Sequence, residues 1–353
     1  MPHGPALHYA VKANPYLPLL EWLVSPMDGF DLASGGELLA LEEAGGLAVP
    51  VSFAGPGKRD DELALAIERD VTINLESEGE AARALVVAER LGIAPKLAIR
   101  VNPPFALKGA GMKMGGLASQ FGVDANRVAA LAREIVATGA EWRGLHVYAG
   151  SQVLRADALI AMQSATVALA VDIAHESGLP IPHLNLGGGF GIPYAPGDEP
   201  LDVHAVGEAL FDTLREAPDV LAETQYAIEL GRWLVGEAGV YLARVIDVKE
   251  SGGKRFAVTD GGLQHILAAT GNFGQTLRRN YPVANASRFA LQAPQEITVT
   301  GCLCTPLDLL GDEVMLPETR VGDLIAIFCA GAYGRSASPA AFLSQPEARE
   351  LLV

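Results

Sequence analysis

Between residues 7 and 230 this 353-residue chain repeats one pattern: a short apolar run, then a stretch of helical character. The runs lie near residues 7–12, 29–34, 51–55, 71–76, 96–102, 142–149, 182–187 and 226–230. The stretches between them are richer in Ala, Leu, Glu and Arg at helical spacing, as from Glu78 to Leu91 and from Val123 to Thr138. Eight strands alternating with helices predict an α/β fold in which the strands close into a (β/α)8 barrel. A doubly wound open sheet is the alternative, and the count of eight favours the barrel. Beyond about residue 236 the pattern changes to short strands separated by turn residues: Val240–Val248, Arg255–Thr259, Glu296–Thr300, Glu313–Leu316 and Asp323–Cys329. The reading is therefore a barrel over 1–236 and a C-terminal β-rich domain over 237–353.

Each candidate strand ends in a chemically unusual residue. The first ends in Lys12. The second carries Asp31 and leads to Ser34, and the third runs into Gly55-Pro56-Gly57-Lys58. The fourth ends at Glu76 and the fifth at Arg100 and Asn102. The sixth holds His146 and reaches Gly150-Ser151-Gln152, the seventh ends in Gly187-Gly188-Gly189, and the eighth in Glu229 followed by Gly231-Arg232. Barrel enzymes build their sites at the carboxyl ends of the strands.

Charge and composition exclude several classes. A formal net charge of −16 argues against a nucleic-acid partner, which needs a basic face. No apolar run reaches the ~18 residues of a membrane span, and no signal peptide is visible after Met1. Cys302, Cys304 and Cys329 make no disulfide framework, and the Cys302/Cys304 pair lacks the further ligands of a zinc site. These features predict a metal-free protein of the reducing cytoplasm.

The motifs narrow the chemistry. In Leu7-His8-Tyr9-Ala10-Val11-Lys12-Ala13-Asn14-Pro15 a strand runs straight into a lysine and is stopped by Asn-Pro. Burial there would lower the amine's pKa and leave it nucleophilic, as is needed to hold pyridoxal phosphate as a Schiff base. The Gly187–Gly191 loop lets backbone N–H groups approach an anion. It fits neither a dinucleotide fingerprint nor a P-loop. Glu229 and Arg232 would suit a pyridine nitrogen and a phosphate, or equally a salt bridge. His146 reads as a core histidine or as a ring-stacking residue. Cys304 and Asp308 read as a proton donor and a substrate ligand, or as a buried small side chain beside a turn.

Taken together, Tyr-Ala-Val-Lys-Ala-Asn, Gly-Phe-Asp-Leu-Ala-Ser, His-Val-x-x-Gly-Ser-Gln, Gly-Gly-Gly-Phe-Gly, Glu-x-Gly-Arg, Cys-x-x-x-Asp and Gly-Ala-Tyr, in order along the chain, resemble the fold-type III pyridoxal-phosphate decarboxylases. That family includes the ornithine and diaminopimelate decarboxylases. Phe53–Arg59, Gly109–Gly116 and Gly271–Pro282 resemble the exosortase A system-associated members and a decarboxylase of carrier-linked glutamate. The resemblance implies an alanine racemase-like barrel and pyridoxal phosphate as cofactor. Lys12 would be the Schiff-base lysine and His146 the ring-stacking residue. Asp31, Arg100, Ser151, Gly188, Gly189, Gly231, Arg232 and Tyr333 would complete the cofactor site, with Glu229 at the pyridine nitrogen. Cys304 would be the proton donor, with Asp308 and Thr305 near the substrate. It further implies a homodimer with shared active sites, and members carry a segment of the β domain ahead of the lysine that this chain is expected to lack.

Three positions refine the expectation. Glu229-Leu230-Gly231-Arg232 stands where the family usually has Glu-Pro-Gly-Arg, and both charges are kept. Where diaminopimelate and ornithine enzymes place Glu or Asp after the cysteine, this chain has Thr305, which leaves a distal substrate amine unpaired. Arg278 and Arg279 could meet an acidic carrier protein or form a solvated surface pair. The leading expectation is α-decarboxylation of an amino acid or amino-acid derivative, with a carrier-linked substrate in view. Diaminopimelate decarboxylation, a racemase and a non-catalytic pyridoxal-phosphate-binding protein are the alternatives. Glu229 and Cys304 disfavour the racemase, and the extra β-rich domain disfavours the last.

Overall fold

The computed structural model describes residues 4–105, 112–113, 118–273, 275, 278–290 and 294–353. Most of the Gly109–Gly116 stretch and Gly274 thus lie outside the described residues. The chain divides into two compact units, 1–191 with 201–230, and 192–200 with 231–353.

The first unit is the barrel. Its strands are β1 (Ala6–Ala10), β2 (Gly29–Leu32), β3 (Val51–Phe53) and β4 (Thr72–Leu75). They continue with β5 (Lys96–Asn102), β6 (Glu141–Val147), β7 (His183–Asn185) and β8 (Gln225–Leu230). All run parallel in the order β4-β3-β2-β1-β8-β7-β6-β5, and β4 pairs with β5 to close the ring. Each observed strand falls where the sequence places one. Tyr9, Phe30, Phe53, Ile73, Leu97 and Ile99 are fully buried, and Tyr9 meets Phe30 edge-on at 6.3 Å.

Local chemistry fixes the helix ends. Ser34 accepts a hydrogen bond from the Glu37 N–H to start α1 (Gly35–Glu43), and Ser77 does the same with Glu80 for α2 (Glu78–Leu91). Each such cap is worth ~1 kcal/mol. Gly92, at φ +68, stops α2 in the left-handed conformation that glycine tolerates. The helix α3 (Ala156–Ser177) is long and apolar enough to cross a membrane by length and composition. This departs from the sequence expectation of no such segment. Leu159, Met162, Thr166, Val167, Ala170 and Ile173 recur at helical spacing and are buried, so its apolar face belongs to the barrel's outer layer.

The second unit is a six-stranded sheet of β9 (Tyr241–Ser251), β10 (Lys254–Thr259), β11 (Val283–Asn285), β12 (Gln295–Thr300), β13 (Leu309–Leu316) and β14 (Leu324–Ile327). Its order is β11-β14-β9-β10-β12-β13. β9 and β10 form a hairpin whose two-residue turn, Gly252-Gly253, has positive φ at both positions. Strand β11 has no counterpart in the sequence reading. The expected boundary at 236 also shifts. The first unit ends at Leu230, and the excursion 192–200 packs with the second. Ile192 and Tyr194 are buried in the second unit's core with Val245, Tyr281 and Ile327.

One irregularity of the barrel is demanding. The β5–β6 register slips between Leu97 and Ala98, leaving Arg143 as an extra residue on β6. The next residue, Gly144, sits at φ +101, and a Cβ there would lie 2.1 Å from the His183 carbonyl oxygen on β7. Gly144→Ala is expected to destabilise the protein by about 2–3 kcal/mol, seen as a lower urea midpoint. The paired His183 has its pKa lowered to about 4, by burial first and then by the Arg143 charge. The unfolded histidine takes its proton near 6.5, so the unfolded state binds more protons between the two values. Stability is therefore expected to fall as pH drops from about 6.5 to about 4 and to stop responding to this group below that. Urea midpoints across this range are expected to depend less on pH in His183→Gln.

Candidate active site

The carboxyl ends of the strands carry a connected set of polar side chains. Strand β1 stops at Ala10, and a single 3-10 turn, Val11–Ala13, presents Lys12. Its amine lies 4.0 Å from Glu229 Oε1 and 4.9 Å from the centre of the Tyr148 ring. The side chain is 37% exposed, so the sequence expectation of a deeply buried lysine is not met. The turn carries it past the core to the rim, where a carboxylate keeps it company.

Glu229 is the buried member of this group. Its Oε2 lies 3.0 Å from His146 Nε2, and Asn185 Nδ2 approaches at 3.5 Å. Burial pushes the Glu229 carboxyl up, but His146, then Lys12 and Arg100, outweigh it and hold the group well below the usual carboxylate range. His146 Nδ1 is buried without a hydrogen-bond partner among the described residues. Asp31 joins from β2: it accepts from Ser52 Oγ and lies 3.3 Å from His8 Nδ1.

Arg100 is held by Glu76 at 2.8 Å and lies over the Phe121 ring. Glu76 also accepts from the Gly55 and Gly122 N–H groups at 2.6 and 2.7 Å, so one carboxylate ties together the loops after β3, β4 and β5. Beside it the buried Lys58 pairs with Glu80 at 3.0 Å and donates to the Gly55 and Asn74 carbonyls. The sequence marks both as strand-end residues but gives neither a role, because a lone Glu or Lys at a strand end carries no signal for its partner.

The glycine loop approaches the backbone closely. A Cβ at Gly188 would lie 1.8 Å from the Glu229 carbonyl oxygen, and one at Gly187, at φ +71, would lie 2.3 Å from that of Val147. Asn185 Oδ1 accepts from the Gly187 N–H and steadies the turn. Ser151 is buried on the adjoining loop.

The second unit holds the other expected residues. Arg232, three residues after Glu229, has its guanidinium 4.6 Å from the centre of the Tyr333 ring. Cys304 is exposed and Thr305 half-buried on the loop between β12 and β13. Asp308 is buried and accepts from the Leu263 N–H at 2.6 Å and the Leu303 N–H at 2.8 Å. A Cβ at Gly262 or Gly301 would strike that carboxylate, so both glycines make room for it. The arginines expected at a carrier surface are also engaged. Arg278 donates to the Thr270 and Leu309 carbonyls, and Arg279 to Asp198 and the Pro196 carbonyl.

A lysine amine beside a buried, ionised carboxylate, an adjacent histidine with an unpartnered nitrogen, and a glycine turn that excludes side chains together fit pyridoxal phosphate. Comparison with known proteins agrees. Residues 3–236 match the pyridoxal binding domain of the pyridoxal-dependent decarboxylases. The chain is 35% identical to an L-glutamyl-[BtrI acyl-carrier protein] decarboxylase of Niallia circulans, over 99% of this chain and 83% of that one. It is 31% identical to a diaminopimelate decarboxylase of Methanothermobacter thermautotrophicus, over 98% and 79%. It is 30% identical to a Staphylococcus aureus decarboxylase of 2-[(L-alanin-3-ylcarbamoyl)methyl]-2-hydroxybutanedioate, over 98% and 87%. Among solved structures, Helicobacter pylori diaminopimelate decarboxylase complexed with L-lysine superposes with a TM-score of 0.86 at 25% identity, over 98% of this chain and 84% of that one.

Gly188→Ala is expected to cost about 1–3 kcal/mol of stability and to weaken pyridoxal phosphate binding at least about tenfold, since the loop must lift from β8. Urea denaturation and an absorbance titration with the cofactor check the two effects.

Proposed function

The chain belongs to the pyridoxal-dependent decarboxylase family, and within it we propose that its substrate is an amino acid carried on an acyl-carrier protein, from which it removes the α-carboxyl group as carbon dioxide. The observation that carries the catalytic reading is the Lys12 amine 4.0 Å from Glu229, itself 3.0 Å from His146, at the carboxyl ends of β1, β6 and β8. Pyridoxal phosphate, when bound, supplies a conjugated carbonyl that takes an amino group and draws off the electrons freed as carbon dioxide leaves.

The residues divide that work. Lys12 would provide the amine that holds the cofactor. Glu229, kept ionised by His146, Lys12 and Arg100, holds a proton on the pyridine nitrogen. His146 would pack the ring, and Gly188, Gly189 and Ser151 would receive the phosphate, to which the resemblance also assigns Gly231, Arg232 and Tyr333. Asp31 and Arg100 set the charge around the ring. Cys304 returns a proton to Cα, so that the carboxyl group is replaced by hydrogen and the amine is kept. Asp308, engaged by two backbone N–H groups, fixes the loop that bears Cys304.

Two observations support the substrate. Thr305 leaves no carboxylate for a distal amine, and the 35% identical relative is named for a carrier-linked glutamate. Arg278 and Arg279, tied to their own unit, are not used in this reading. The active unit is read as a cytoplasmic homodimer. Leu242, Ile246 and Met315, exposed apolar side chains of the second unit, support the dimer.

Lys12→Ala is expected to lose both activity and the bound-cofactor absorbance; a variant that keeps its absorbance and turns over substrate overturns the catalytic reading. Carbon dioxide release is expected at least about tenfold faster, by kcat/KM, from glutamyl carrier protein than from free glutamate or diaminopimelate. Faster release from diaminopimelate returns the chain to the diamino acid group.

A further inference from the structure

Tyr194 lies on the excursion Ile192–Pro200 and takes no part in the roles assigned above. Its hydroxyl accepts a hydrogen bond from Arg232 Nη1 at 2.6 Å. The Tyr194 and Tyr281 rings stack with centroids 4.4 Å apart. The Arg232 guanidinium lies 5.3 Å from the Tyr194 ring centre and 4.6 Å from that of Tyr333. Tyr333 holds its place at φ 54, a left-handed backbone that is costly for a bulky residue.

Arg232 is 9% exposed, and its Nε is buried without a hydrogen-bond partner among the described residues. Its partners in the second unit are two aromatic faces and a phenol, all uncharged. Burial raises the Tyr194 pKa, which keeps that phenol neutral. A buried cation that no anion compensates is expensive, and such a cation is suited to an external one. An arginine tied instead to a carboxylate would have its charge already answered.

We propose that Tyr194 is a positioning residue for phosphate recognition: its hydroxyl and ring hold the Arg232 guanidinium against Tyr333 and keep its charge for a phosphate monoester. The proposal rests on the reading of Arg232 as a ligand of the cofactor phosphate. Tyr281 supports Tyr194, and Asp198, which accepts from the Tyr194 and Ala195 N–H groups and from Arg279, fixes the turn that carries it.

The test compares pyridoxal phosphate with pyridoxal, which lacks the phosphate, by titrating the apoprotein and following cofactor absorbance. Tyr194→Phe is expected to weaken pyridoxal phosphate binding about tenfold, the loss of a hydrogen bond to a charged group, and to leave pyridoxal binding within about twofold. Inorganic phosphate is expected to compete correspondingly less well. Tyr281→Leu, which removes the ring stacked on Tyr194 and keeps the Tyr194–Arg232 hydrogen bond, is expected to move the same preference by about threefold and serves if Tyr194→Phe does not fold. Equal weakening of both ligands, or an unchanged preference for the phosphorylated one, overturns the proposal. Arg232→Gln separates the two readings. If it loses the preference while Tyr194→Phe keeps it, Arg232 stands and Tyr194 falls; if both keep it, the phosphate reading of Arg232 falls as well.

Discussion

The parallel pairing of β1 with β8 is the contact on which the site depends. It aligns His8 with Glu229 and Tyr9 with Leu230, across more than two hundred residues of sequence. Once that register is set, the turn after β1 can only deliver Lys12 beside Glu229. The neighbouring pairs do the rest: β2 brings Asp31, β7 brings Asn185, and β6 brings His146. A one-residue slip would turn each side chain to the other face. The buried Glu229 carboxylate would then lose the histidine and lysine that offset its desolvation.

The barrel was legible because its signals are local. Apolar runs and helical spacing each act within a few residues, and all eight strands and the helix Glu78–Leu91 fall where they predict. What was not legible depends on partners remote in sequence. Nothing in Asp308 announces that the Leu263 and Leu303 amides will take both its oxygens. Nothing in Arg278 announces the Thr270 and Leu309 carbonyls. The depth of Lys12 was misjudged for a related reason. A strand-end residue is buried or exposed according to the turn that follows, and here a 3-10 turn lifts it to the rim.

On the proposed reading, the chemistry and the choice of substrate are written in different places. The residues around Glu229 sit on strands and their immediate ends, where backbone register fixes them. Thr305 sits on a loop between two strands of the second sheet, where a side chain can change without disturbing a register. The relatives fit this division: they are named for a carrier-linked glutamate, for diaminopimelate and for a substituted hydroxybutanedioate, yet all are decarboxylases.

The excursion Ile192–Pro200 has a consequence for how the chain can be divided. The polypeptide enters the second unit, returns to build α-helical and strand elements of the barrel, and only then leaves for good at Gly231. No single cut therefore yields two self-sufficient genetic modules. A fragment ending at Leu230 would carry Ile192 and Tyr194 without the core that covers them, and one beginning at Gly231 would have a hole where they belong. The two folds are stitched rather than fused end to end, so exchange of one between relatives must carry this nine-residue stitch with it.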